Sequence, residues 1–143
     1  MPNGETLYPL EVVIRGTPAS LQTKNPRYRE AWKERVAEAA RERQRETYPL
    51  GFLDQRPLAV TIYYFPSDPM VGDIDNIVKP IMDGMNAVAY LDDSVVERVV
   101  VQKFGPERGW AFAAPSDRLT LALDSDRPVV YIRVDDDLSW RRA

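Results

Sequence analysis

The sequence predicts a small α+β domain with a mixed β-sheet and two main helices, in the order strand–helix–strand–helix–strands. Three observations lead there. Several short segments are rich in β-branched and aromatic residues. Two segments carry apolar residues at helical spacing. The helical segments fall between strands rather than clustering in one half of the chain. At 143 residues the chain has the length of one domain, 1–143, with 1–6 and 136–143 expected as tails.

Each element has a local reason. LYPLEVVIRG (7–16) reads as a strand that ends at Gly16, and TPASLQTKNP (17–26) as a polar loop. Asn25-Pro26 is a helix start, with Asn as the cap and Pro at the first helical position. From Tyr28 to about Arg45, Tyr28, Trp32, Val36 and Ala39/Ala40 recur at helical spacing. TYPLGFLDQRP (47–57) is a turn region, and LAVTIYYF (58–65) is a strand ended by Pro66.

A helix started at Asp75 places Lys79, Asp83 and Asn86 on one narrow face with it, and Ile77, Ile81, Met85 and Val88 on the opposite one. Pro80 falls early in that helix, where a missing N–H costs least. SVVERVVVQKF (94–104) and RPVVYIRVD (127–135) read as strands. The Gly/Pro/Ser-rich stretch between them carries RLTLAL, whose alternation suggests a further short strand.

Composition excludes several chemistries. With no His and no Cys, the chain cannot build a Ser-His-Asp triad, a thiol nucleophile, a disulfide or a nitrogen- or sulfur-ligated zinc site. Any metal must be held by oxygen, which points to Mg²⁺, Mn²⁺ or Ca²⁺. No apolar run reaches the ~20 residues a membrane span needs, and nothing at the N-terminus reads as a signal peptide, so no membrane partner and a cytoplasmic location are expected.

The net charge of −3 is unevenly spread. Residues 24–45 hold eight cations against four Glu, whereas residues 61–143 hold nine cations against fourteen acids. Lys24, Arg27, Arg29 and Lys33 in the first segment are candidate nucleic-acid contacts; the competing reading is a solvated helix face of alternating Glu and Arg.

GDIDNIVKPIMDG (72–84) concentrates the chemistry. Taken singly, Asp at a helix start is a cap, and Asp92-Asp93 is a turn. Together, Asp73, Asp75, Asp83 and the following Asp pair surround Lys79, and carboxylates in such number repel one another unless a cation lies among them. Mg²⁺ takes one or two carboxylates plus water and phosphate oxygens, so a metal held against a phosphate is the second reading. Phosphodiester hydrolysis also needs a fixed positive charge for the transition state, which a Lys on the carboxylate face supplies.

The stretch GDIDNIVKPIMDGMNAVAYLDDSVVERVVVQK resembles the signature of the RusA family of Holliday junction resolvases: D-x-D-N-x-x-K-x-x-x-D, then a D-D pair opening a strand. The resemblance is close over about 66–104 and extends less specifically to VVIRGTPAS.

It implies that Asp73, Asp75 and Asp93 are metal-binding carboxylates and that Lys79 is the catalytic lysine. Asn76, Asp83 and Asp92 are assigned supporting roles. It further implies a RusA-like fold and a homodimeric, Mg²⁺- or Mn²⁺-dependent endodeoxyribonuclease acting in DNA recombination and repair. Such an enzyme nicks four-way junctions symmetrically and uses no small-molecule cofactor. Rival readings are a nuclease for flaps or other branched nucleic acid, and a non-catalytic junction-binding protein.

Overall fold

The computed structural model describes residues 7–48, 55–70, 72–137 and 139. It is an α+β fold built on one mixed four-stranded sheet with three α-helices. The strands are β1 (Leu10–Arg15), β2 (Leu58–Phe65), β3 (Val96–Lys103) and β4 (Val129–Asp135), in the spatial order β1-β4-β2-β3. β4 pairs antiparallel with both β1 and β2, while β2 and β3 run parallel. Parallel neighbours need a long crossover connection. Here it is residues 66–95, and every acid of the candidate site lies within it.

Helix α1 (Pro26–Thr47) begins as expected: the Asn25 side chain accepts from the Arg27 N–H at 3.0 Å, and Pro26 occupies the first turn. It buries Trp32, Val36, Ala37 and Ala40. Tyr28 departs from the expected core face. It is exposed, and its hydroxyl donates to the Thr17 carbonyl, tying the helix to the preceding loop.

The predicted helix from Asp75 is two pieces, a 3₁₀ turn at Ile74–Ile77 followed by α2 (Val78–Met85), with Asn86 as the C-cap. Pro80 explains the break. Its ring has no N–H for the Asn76 carbonyl and would clash with it in a continuous α-helix. That carbonyl instead accepts from the Leu21 N–H at 2.9 Å, so the 17–25 loop is fastened onto the turn.

The two faces of the sheet differ. Leu58, Val60, Ile62 and Tyr64 of β2 and Val130, Ile132 and Val134 of β4 face α1 and α2, and share one core with Trp32, Val36, Ile77, Ile81 and Met85. Tyr63, Phe65, Val129 and Tyr131 point the other way, into an aromatic cluster with Phe104 and Phe112. Both central strands are therefore covered on both faces over the half that carries Tyr63, Phe65, Val129 and Tyr131. β3 is an edge strand with exposed side chains, Val99 among them.

RLTLAL forms no strand. It lies in α3 (Asp117–Asp124), where Leu119 and Ala122 are buried three residues apart while Leu121 (44% exposed) and Leu123 (37% exposed) face outward. The alternating leucines mimic a strand's period, but the buried pair follows helical spacing, and Ser116 caps the start by accepting from the Leu119 N–H. Of the expected tails and turn, residues 1–6, 49–54, 138 and 140–143 lie outside the described residues. Asp136, at the start of the C-terminal tail, pairs with Arg56 at 2.8 Å. Among the described residues no helix is long and apolar enough to cross a membrane.

Candidate active site

The crossover brings its charged residues together in a particular order. Lys79 and Asp83 are one helical turn apart on α2, so their side chains meet: Lys79 Nζ lies 2.8 Å from Asp83 Oδ1. Asp93, fourteen positions after Lys79, opens a short 3₁₀ turn (Asp93–Val95) before β3 and comes within 3.7 Å of the same ammonium. The hydrogen bond to Asp83, and then the charges of Asp83 and Asp93, raise the Lys79 pKa above its ordinary value, so the ammonium stays charged throughout the neutral range. A cation does lie among these carboxylates, and it is the chain's own.

The adjacent acids divide by use. Asp92 accepts from the Ser94 N–H at 3.2 Å and caps the turn; the Ser94 side chain, and then that N–H, hold its carboxyl below the usual range. Its neighbour Asp93 faces Lys79. Asp73 occupies the cap position of the Ile74–Ile77 turn in an extended conformation (φ −89°, ψ 138°), yet its side chain makes no capping bond. Asp75, in the first turn, is exposed like Asp73. The purely structural reading thus accounts for Asp92 and leaves the Asp73 carboxylate without its structural task. Asn76 is half-buried, its carbonyl committed to Leu21.

Beneath these residues lies Tyr90, which sequence reasoning did not single out. It is fully buried, and its hydroxyl donates to the Met82 carbonyl at 3.2 Å. Burial pushes its pKa well up, and Asp93, Asp83 and Asp92 push it further, so it stays neutral and braces the 90–93 turn against α2. Only its place two residues before the Asp pair hinted at this. The turn is also held by the Tyr8 hydroxyl on the Ala89 carbonyl (2.9 Å) and by Gln44 on that of Val88.

The four candidate DNA contacts separate as well. Lys24 and Arg27 are exposed and Arg29 is half-buried, and none of the three makes an ion pair among the described residues. In the last two turns of α1 the arginines are tied to acids, Arg41 to Glu34 and Glu38, Arg43 to Glu46 and Arg45 to Glu38, while Arg35 donates to the Arg15 carbonyl. Lys33 points to the acid cluster instead, 3.7 Å from Asp83 Oδ2 and 3.1 Å from Glu30. Beside the fastened loop, an open cleft of about 340 Å³ is lined by Thr17, Pro18, Ser20, Tyr64, Pro66 and Ile77 among others.

The donor set of this region is entirely carboxylate, amide and carbonyl oxygen, which fits a hard divalent cation and no softer one. Among the described residues, no three acids already stand together in an arrangement that could hold a metal ion. The conformation is one in which Lys79 balances Asp83 and Asp93.

Comparison with the curated proteins finds no match. Comparison with protein families finds one, described as Endodeoxyribonuclease RusA, over residues 12–111. The matched span runs from β1 through the whole crossover and β3, and stops short of α3 and β4. It covers well over half of the chain, and the protein belongs to the RusA family of endodeoxyribonucleases.

Proposed function

We propose that the chain is a homodimeric, Mg²⁺- or Mn²⁺-dependent endonuclease that resolves four-way DNA junctions by paired phosphodiester cuts in recombination and repair. The observation that carries this reading is the convergence, inside the matched span, of Lys79 with Asp93 across a crossover in which Asp73 holds a cap position without making a capping bond and Asp75 lies exposed two residues on.

Asp73, Asp75 and Asp93 would hold the ion, since each is a hard oxygen donor and Asp92 is already engaged with Ser94. A bound ion of this class polarises the phosphoryl oxygen and supplies hydroxide at neutral pH. The residues do the rest. Lys79 carries a permanent positive charge on a flexible stem to the side where phosphate charge develops. Asp83 fixes that stem. Lys24, Arg27 and Arg29, which make no ion pair among the described residues, grip the phosphate backbone, and affinity falls steeply with salt.

A four-way junction has two symmetry-related scissile phosphates, so two copies on a two-fold axis suit it, one site each. The exposed edge of β3, which follows Asp93 directly, gives a second copy a strand to pair with. A labelled synthetic four-way junction, incubated with Mg²⁺ or with EDTA, tests the reading: paired symmetric cuts that need the ion are expected. Preferential cutting of flaps transfers the activity to other branched substrates, and binding without cutting under any ion overturns it.

A further inference from the structure

Lys33 reads in the sequence as part of the basic run of α1, but its ammonium lies between Glu30 on its own helix and Asp83 on α2. We propose that Lys33 is a positioning residue for Lys79, acting through Asp83, and not a contact to the DNA backbone. The inference rests on the proposed nuclease reading for its catalytic meaning, and on geometry for the link itself.

Asp83 carries a different ammonium on each oxygen: Lys79 at 2.8 Å on Oδ1 and Lys33 at 3.7 Å on Oδ2. A carboxylate bonded on one side only swings about its last torsion, and its partner follows. With a cation on both sides it has one favoured orientation. Lys79 is itself mostly exposed on a four-carbon stem, so the orientation of Asp83 decides whether the ammonium rests beside Asp93.

The distance between Lys33 and Asp83 is set by backbone packing. Gly84, next to Asp83, lies where α2 crosses α1. A Cβ there would come within 2.7 Å of the Lys33 carbonyl oxygen and 2.8 Å of Val36 Cβ. Only glycine lets the helices close at this turn, so Asp83 is carried to Lys33 by the same contact that seals the core. Lys33 is also two-thirds buried and already paired with Glu30, whereas Lys24 and Arg27 are exposed and unpaired among the described residues.

The test is Lys33→Met, which removes the charge, keeps the stem and keeps helix propensity. Its kcat on a four-way junction is expected to fall about ten-fold, within the ~10² that a 1 Å misplacement costs, with KM unchanged. Lys33→Arg is expected to restore most of the rate, since it returns a cation to Asp83. Metal-free junction binding, measured against salt, separates this from a phosphate contact: the slope of log K against log salt is expected to match the wild type. Arg27→Met, the control, loses about 0.9 of slope. A slope reduced by that amount in Lys33→Met overturns the proposal, as does an unchanged kcat.

A cycle of Lys33→Met, Asp83→Asn and the double variant, followed by thermal unfolding, tests the link without catalysis. The Tm shifts are expected to be non-additive, and additive shifts overturn it. If the wild type cuts no junction, the nuclease reading fails on that result, and the cycle still decides whether Lys33 and Asp83 act together.

Discussion

The turn that begins after Asp73 and the helix that begins after Ser116 start alike and are used differently. Both residues are extended at the cap position, Asp73 at φ −89°, ψ 138° and Ser116 at φ −65°, ψ 166°. Ser116 accepts from the Leu119 N–H at 3.1 Å and donates its own hydrogen to Glu11, which also accepts from Tyr131. These bonds hold the start of α3 against the sheet. Asp73 spends its carboxylate on no such bond. The proposed metal site would use this cap carboxylate, which makes no capping bond, together with Asp75 two residues on. The Asp92-Asp93 pair repeats the contrast in two adjacent residues, one bonded to its turn and one turned to Lys79.

The sharpest way to break the contrast is to remove charge from the uncapped acids. Asp73→Asn and Asp75→Asn keep volume nearly constant, so cleavage of a four-way junction is expected to be abolished. Binding should be retained or tightened, because repulsion of the phosphates is reduced. Mixed dimers with one Asp73→Asn subunit are expected to nick without resolving, as read on a strand-specific gel. Undiminished cutting by Asp75→Asn would sink the ligand role, and an unfolded variant in circular dichroism would return Asp73 to capping.

Next in size is Lys79→Ala, expected to lower the cleavage rate by about 10² to 10³-fold, the usual cost of one charge that acts on the transition state. Junction affinity should change far less, and Lys79→Arg should rescue poorly because a planar fork presents its charge differently. Equal losses in rate and affinity would make Lys79 an ordinary phosphate contact.

On the capped side the effects move to stability. Ser116→Ala loses a helix cap, so denaturant titration is expected to show a loss of ~1 kcal/mol with cleavage intact. A fall in activity larger than the fall in folded fraction would mean that the back of the sheet reaches the site. The smallest change is expected from Asp92→Asn. Asn caps about as well as Asp, so stability should shift by only a few tenths of a kcal/mol. Junction cleavage should remain close to that of the wild type, in contrast to Asp93→Asn.

Much of this was legible in the chain because the signals are local. Asn25-Pro26 marks the start of α1, and β2 declares itself from Leu58 to Phe65 by β-branched and aromatic residues alone. The four-residue spacing of Lys79 and Asp83 already requires them to meet if α2 is helical, and they do. The same local reasoning failed where two periods competed. Leu119, Leu121 and Leu123 alternate like a strand, and the Ser116-Asp117 cap was the signal that could have overruled them.

What the amino-acid order determined by itself was therefore the type of most elements and the chemistry of the site: oxygen donors only, one lysine among acids, no imidazole and no thiol. The tertiary structure decided which of those residues meet. Asp93 reaches Lys79 because β2 and β3 are parallel neighbours and the chain must cross between them. Lys33 reaches Asp83 because Gly84 lets α2 close on α1. The Asp75 turn parts from α2 because Pro80 denies Asn76 its helical partner, and Leu21 takes its place. The physical reason is common to all three. Spacing along a helix fixes neighbours within about one turn. A contact between residues fourteen or fifty positions apart exists only once the core has chosen its packing.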